Sequence, residues 1–228
     1  MKAKKNQPKA RIFIVDDHPI VRQGLIQLIN QESDLVPCGN AEDACQALEN
    51  IEKLKPDVAV VDISLKGMNG LDLIKNLKVR CPHLPILVLS MYDESIYAER
   101  VLRAGAKGYI MKQEATEKVL VAIRRVLEGQ VYVSEVLASK IIEKLVNHPT
   151  LENHSDMDRL SDRELEVFQL IGKGYGTRQV AKELHLSVKT IETYREKIKE
   201  KLDLENATAL VRSAVQWVQS ENVGGLRV

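Results

Sequence analysis

Three short runs, Ile12 to Val15, Val58 to Val61 and Ile86 to Leu89, are apolar at every position. A strand with no polar face must be buried on both sides, the situation of strands in parallel sheets. Between the runs, apolar residues recur at helical spacing: Ile20, Val21, Leu25, Leu28 and Ile29, then Ala44, Leu48 and Ile51, then Leu73, Ile74 and Leu77 before Pro82. Leu35 to Cys38 and Gly108 to Met111 are shorter β-like pieces, and a helix carrying Val119, Ile123 and Val126 closes the series. Residues 9–128 are therefore expected to form a doubly wound α/β domain with a five-stranded parallel sheet.

After Gly129 the β signals stop. One helix is expected from Ser134 to Val146, followed by a polar, turn-prone stretch through residue 158, so residues 129–157 read as a helix and a flexible linker. Residues 158–222 hold four helical patterns. Ser161 with Glu164 forms a capping box for a helix that turns Leu165, Phe168 and Ile171 inward, closed by Gly172 and Gly174. Thr177 is expected to cap a second helix with Val180, Ala181 and Leu184, Ser187 a third with Ile191, Ile198 and Leu202, and Asn206 opens a fourth toward Val218. The second and third are separated only by His185 and Leu186, the tight connection of a helix-turn-helix.

Composition narrows the function classes. Lys and Arg total 33 against 32 Asp and Glu, so bulk charge points to no polyanionic partner, and a nucleic-acid role must rest on a local motif. Cys38, Cys45 and Cys81 are an odd number without metal-ligand spacing, and are expected to be buried small apolar residues in a reducing compartment. No apolar run approaches the roughly 18 residues of a spanning helix, so a cytoplasmic protein with no membrane partner is expected.

Asp16 and Asp17 follow the first strand and Asp62 follows the third, placing three carboxylates at strand C-termini, where open α/β sheets bind ligands. Close carboxylates raise one another's pKa unless a cation neutralises them, and an all-oxygen site favours a hard divalent ion such as Mg²⁺. Ser90 after the fourth strand and Lys112 after the fifth point to the same rim, where a hydroxyl and an ammonium suit the oxygens of a transferred phosphoryl group. One aspartate after a strand is more often a helix cap or turn residue than a ligand; Asp16, Asp17, Asp62, Ser90 and Lys112 together at successive strand ends are much harder to read that way.

The segments RIFIVDDHPIVRQGL, VAVVDISLKGMNGLDLI, ILVLS and GAKGYIMK, in that order, resemble a bacterial response-regulator receiver domain of flavodoxin-like fold. The resemblance implies Asp62 as phosphoacceptor, and Asp17, Asp62 and the Ser64 carbonyl as Mg²⁺ ligands with Asp16 acting through water. It further implies Lys112 as the phosphoryl contact and Ser90 with Tyr109 as a paired conformational switch, Tyr109 turning inward as Ser90 follows the phosphoryl group. Such a domain assists only its own phosphorylation and dephosphorylation and is not otherwise an enzyme. An aspartyl-nucleophile phosphatase of the haloacid-dehalogenase kind would need a second aspartate where Ser64 stands.

On a helical wheel Ile191, Ile198 and Leu202 fall within about 40° of one another, opposite Lys189, Thr193, Glu196 and Glu200. As a recognition helix it would offer Lys189, Thr193 and Glu196 to base edges, with Thr190, Tyr194, Arg195, Lys197 and Lys201 reaching phosphates. Residues 187–201 carry five Lys or Arg and three Glu, a local +2, which an ordinary solvated helix could also show. The stretch LSDRELEVFQLIGKGYGTRQVAKELHLSVKTIETYREKIKEKLDL resembles the LuxR-type DNA-binding domain of the NarL/FixJ class. Together the two resemblances imply a response regulator, phosphorylated by a sensor histidine kinase and binding double-stranded DNA as a homodimer. A receiver joined to a helical protein-interaction module is the alternative. The wide apolar face of the fourth helix either pairs with a second copy or leaves Trp217 capping the local core.

Overall fold

The computed structural model describes residues 8–65, 67–147 and 156–224. The chain divides into two compact units, Met1–Ile141 and Ile142–Val228. The expected flexible linker falls largely on residues 148–155, outside the described residues.

In the first unit, β1 (Ala10–Val15), α1 (Pro19–Asn30), β2 (Leu35–Ala41), α2 (Ala44–Leu54) and β3 (Val58–Asp62) alternate as expected. They are followed by α3 (Gly70–Arg80), β4 (Ile86–Ser90), α4 (Glu94–Arg103), β5 (Gly108–Met111) and α5 (Ala115–Leu127). All strand pairs are parallel, in the order β2-β1-β3-β4-β5. Ile12, Ile14, Val58, Val60, Leu87 and Leu89 face α1 and α5 through Leu25, Ile29, Val119, Ile123 and Val126. Because side chains alternate along a strand, Phe13, Val15, Ala59, Val61 and Val88 point to the opposite face, and all are buried.

β2 runs to Ala41, past the expected Cys38, because it is an edge strand and needs no continuous apolar run. Pro37 is tolerated there, since an edge strand can lack a ladder donor. Its pairing to β1 slips by one residue: Ile12 faces Pro37 and Phe13 faces Gly39. A Cβ on Gly39 would sit 2.7 Å from the Phe13 ring, so the glycine makes the room that the aromatic fills. The cysteines do not behave as expected. All three are free, Cys38 and Cys81 are half-buried, and Cys45 is exposed because its neighbours Ala44, Ala47, Leu48 and Ile51 take the buried face of α2.

α6 (Glu135–Asn147) follows, and the second unit contains α7 (Asp162–Gly172), α8 (Thr177–Glu183), α9 (Val188–Lys201) and α10 (Ala207–Gly224). Its core is Leu165, Val167, Phe168 and Ile171 with Val180, Ile191, Ile198, Leu210 and Ala214, and Trp217 tilts against Phe168 at 5.6 Å between ring centroids. The capping box forms: the Glu164 carboxylate accepts from the Ser161 N–H at 2.7 Å, and the Ser161 hydroxyl from the Glu164 N–H at 3.4 Å. The N-cap of α8 is Gly176, not Thr177; the Gln179 side chain reaches back to accept from the Gly176 N–H at 2.8 Å. Among the described residues no helix is long and apolar enough to cross a membrane.

Two glycines test the packing. At Gly172 an added Cβ would lie 2.4 Å from the Ala214 carbonyl oxygen, whereas at Gly24 on α1 it would meet nothing within 4 Å. Gly172→Ala should therefore lower the stability of the second unit by about 1–3 kcal/mol, as overpacked positions do. Gly24→Ala should raise that of the first by about 0.5–1 kcal/mol through helix propensity. Thermal unfolding of the two variants against wild type measures both.

Candidate functional site: an acidic crevice and an exposed helix

Four of the five strands deliver polar groups to the crevice from their C-terminal ends. β1 ends at Val15 and hands Asp16 and Asp17 to the start of α1; β3 ends on Asp62; β4 ends on Ser90; Lys112 opens a short 3-10 turn after β5. Asp16 and Asp62 are each only 1% exposed. One ammonium serves both: Lys112 Nζ lies 2.7 Å from Asp62 Oδ2 and 2.8 Å from Asp16 Oδ2. The Ser64 N–H donates to Asp62 Oδ1 at 3.1 Å, fixing the carboxylate from its other side. Gly70, the first residue of α3, lies so close behind Asp62 that a Cβ would come within 2.2 Å of the Asp62 carbonyl oxygen.

Asp17 completes the cluster with a partner that the sequence reading missed. His18, the N-cap of α1, places Nδ1 2.7 Å from Asp17 Oδ1 and 3.3 Å from Asp16 Oδ1, and its own N–H donates to Asp16 Oδ1 at 2.8 Å. Its position beside Asp17 was the available signal. The ligating atoms of Asp16, Asp17, His18 and Asp62 lie within 4.8 Å of one another. Despite these close charges, Asp16 Oδ2 and Asp17 Oδ1 are buried without a well-directed hydrogen-bond donor. Buried acceptors left in this condition fit a hard cation, and a donor set of carboxylate oxygens fits Mg²⁺.

Ser90 is fully buried, and its hydroxyl accepts the Tyr92 N–H at 3.0 Å. Tyr109 is already turned inward at 1% exposure, donating its hydroxyl to the Tyr92 carbonyl at 2.7 Å. The inward position therefore does not wait on Ser90 moving away, because the backbone of Tyr92 supplies the partner. Burial raises the Tyr109 phenol far above its usual value, so it acts only as a neutral donor. For Lys112 burial works against the charge, but Asp62 and Asp16 outweigh it and the pKa rises.

On the second unit, Lys189, Thr193, Glu196 and Lys197 of α9 are exposed and Thr190, Tyr194 and Arg195 half-buried, while Ile191 and Ile198 face the core. Ser187 caps the helix, accepting from the Thr190 N–H at 3.0 Å. The turn before it, with His185 at φ +52°, is braced by Arg163, which donates to the Leu184 carbonyl at 3.0 Å and pairs with the fully buried Glu166 at 2.6 Å. Glu196 is held by Lys199 at 2.8 Å. Lys201 does not fit the expected phosphate contact. Its ammonium lies 2.6 Å from the buried Glu164 carboxylate, tying the end of α9 to α7. Burial pushes the Glu164 carboxyl up, but Lys201 and Ser161 more than reverse this and its pKa is lowered.

Family models for the response regulator receiver domain and for bacterial regulatory proteins of the luxR family match residues 12–124 and 158–214. The oxygen regulatory protein NreC of Staphylococcus haemolyticus is 39% identical over 210 residues, 90% of this chain and 97% of that protein. The chain is a response regulator with a LuxR-type DNA-binding domain. The NreC protein of Staphylococcus aureus is 37% identical over the same shares of both chains. Among solved structures, RcsB of Salmonella enterica serovar Typhimurium, bound to promoter P1flhDC in the presence of phosphomimetic BeF3⁻, is 30% identical, with a TM-score of 0.59 over 90% of this chain and 98% of that one. A LuxR-family response regulator from Aurantimonas is 33% identical, with a TM-score of 0.57 over 60% of this chain and 99% of that one. The receiver of this response regulator is thus the first unit, and its luxR-family domain lies in the second.

The receiver carries a measurable electrostatic cost. Burial raises the Asp62 carboxyl, Lys112 lowers it and Asp16 raises it again, which leaves it at about 6 against an ordinary 3.8. A carboxyl with a raised folded pKa adds stability below its unfolded value, and that contribution is lost as pH rises through the folded one. With divalent cations chelated, Asp62→Asn should match wild type near pH 4 and exceed it by up to about 3 kcal/mol above roughly pH 7, as denaturant unfolding would show.

Proposed function

We propose that Asp62 is the phosphoacceptor of this regulator and that its phosphorylation by a sensor histidine kinase controls sequence-specific binding of the second unit to double-stranded DNA. The observation that carries this reading is the convergence on Asp62, itself at a strand end, of the Lys112 ammonium at 2.7 Å and the Ser64 N–H at 3.1 Å, with Ser90 ending the adjoining strand. An oxygen of the Asp62 carboxylate attacks the phosphorus of the donor, the bond to the donor's leaving nitrogen or oxygen breaks, and an acyl phosphate remains. The Lys112 ammonium and the Ser90 hydroxyl then hold the phosphoryl oxygens.

Asp17, Asp62 and the Ser64 carbonyl, with Asp16 acting through water, would hold Mg²⁺. Bound there, the ion neutralises charge between the carboxylates and the phosphoryl oxygens. His18 keeps the Asp17 carboxylate oriented toward this cluster. The protein assists its own phosphorylation and loss of phosphate and acts on no separate substrate. Ser90 and Tyr109 form the conformational switch, both addressing the backbone of Tyr92.

The exposed α9 residues Lys189, Thr193 and Glu196 face base edges, while Lys197, Arg195, Thr190 and Tyr194 reach phosphates. Two copies on one duplex place their half-sites about 10 base pairs apart, or a multiple of that, so that both recognition helices meet the same face. The regulator works in the cytoplasm, with the chromosome.

Incubation with acetyl phosphate and Mg²⁺ should place a single phosphoryl group on Asp62, found by intact-mass and peptide analysis, and Asp62→Asn should abolish it. Wild-type labelling of that variant would overturn the assignment. On DNA, Lys197→Ala should lower the slope of log affinity against log salt by about one unit. Lys201→Ala, whose ammonium is held by Glu164, should leave the slope unchanged and instead destabilise the domain.

A further inference from the structure

The segment that leaves the receiver is fastened at two points, one on the backbone of Tyr109 itself and one on Glu94 of α4. After α5 the chain turns at Gly129 and runs back along the free edge of β5, where Tyr132 forms an isolated parallel bridge with Gly108. The Tyr109 N–H donates to the Tyr132 carbonyl at 2.8 Å, and the Tyr132 N–H to the Lys107 carbonyl at 2.9 Å. Two residues on, Ser134 caps α6: its hydroxyl accepts the Leu137 N–H at 3.1 Å and donates to the carboxylate of Glu94, the first residue of α4. The N-terminus of the helix leading out of the receiver is thus tied to the N-terminus of α4.

Glu94 is two residues past Tyr92, on which the switch converges. The Tyr92 N–H is on the Ser90 hydroxyl, its carbonyl on the Tyr109 hydroxyl, and its ring stacks on the fully buried Tyr97 of α4 at 4.6 Å between centroids and 20° between planes. A Ser90 hydroxyl that turns to a phosphoryl oxygen leaves the Tyr92 N–H, and residue 92 cannot move without drawing on the Tyr109 hydroxyl and the first turns of α4.

We propose that the Glu94–Ser134 hydrogen bond is the output latch of the receiver. Glu94 and Ser134 are positioning residues that pass the state of Ser90 and Tyr109, through Tyr92, to the cap of α6. The proposal rests on the reading of Asp62 as phosphoacceptor. A single half-buried hydrogen bond adds little to stability, but a latch needs only to differ between two states, and couplings of about 5- to 150-fold are the usual size of such differences.

Glu94→Ala removes the latch and leaves the Ser134 cap of α6 in place, while Glu94→Gln keeps an acceptor for the Ser134 hydroxyl. Amide exchange of the full chain over residues 135–139 is followed with and without acetyl phosphate and Mg²⁺. In wild type the reagent should change the exchange rate of the Leu137 amide about fivefold or more. In Glu94→Ala the two rates should agree within about twofold while Asp62 is labelled as in wild type, and Glu94→Gln should respond like wild type. The same variants should show the same loss and retention of phosphorylation-dependent affinity for a DNA fragment selected from a random pool on the phosphorylated wild type. A wild-type response in Glu94→Ala with Asp62 labelled would overturn the latch alone. Absence of label on Asp62 in wild type would overturn the phosphoacceptor reading, and the latch with it.

Discussion

Two carboxylates with almost no solvent contact share one ammonium at the ends of three parallel strands, and the rest of the receiver is arranged around that unbalanced charge. Burying an ion pair already costs much of what its attraction returns; burying two acids against one base leaves the site short of positive charge. The sheet sustains this because the imbalance is local, while the apolar contacts of the five strands extend over both faces. The deficit makes the crevice a receptor: whatever brings a cation and a group for Lys112 and Ser90 to hold relieves a strain that folding has built in. The proposed phosphorylation of Asp62 would change the charge of the same few ångströms by about −1.5 to −2, so that a binding event and a conformational bias would share one location.

The strand order explains why the receptor lies where it does. β1 and β3 are neighbours at the centre of the sheet, with β4 and β5 following on one side, so Asp16, Asp62, Ser90 and Lys112 come from adjacent strand ends although they span nearly a hundred residues of sequence. This much is legible in the sequence, because a strand buried on both faces announces itself as an unbroken apolar run and its polar follower can only be at the strand's end. The edge strand β2 was only partly legible for the opposite reason: with one side unpaired it carries Pro37, Gly39 and Asn40, and the apolar signal stops early.

What the sequence did not disclose are contacts whose partners lie far apart or whose choice depends on competing acceptors. Lys201 looks like any cation at the end of a recognition helix until α7 brings the buried Glu164 to it. Tyr109 was expected to need space vacated by Ser90, yet the Tyr92 carbonyl already holds it inside. Residue type alone places the cysteines in the core, whereas a helix buries by position, and the register of α2 leaves Cys45 outside. His18 is a milder case, since a histidine following two aspartates could serve as a cap, a ligand or neither until its ring is placed.

Withdrawing Lys201 also changes the charge that α9, the proposed recognition helix, can offer. Its five cations and three acids leave +2 on paper; with Lys201 committed to an acid on α7 and Lys199 to Glu196, fewer cations remain to meet phosphates. Counterion release scales with the phosphates neutralised, so such a helix gains little sequence-independent affinity. In the proposed reading, affinity comes from base contacts and from two copies held on one duplex, where the second domain binds at the effective concentration set by the first. A domain that bound DNA firmly by charge alone would be indifferent to whether its receiver was phosphorylated. If Asp62 is the phosphoacceptor as proposed, weak attraction to phosphates gives the small free-energy bias generated there authority over occupancy of the site.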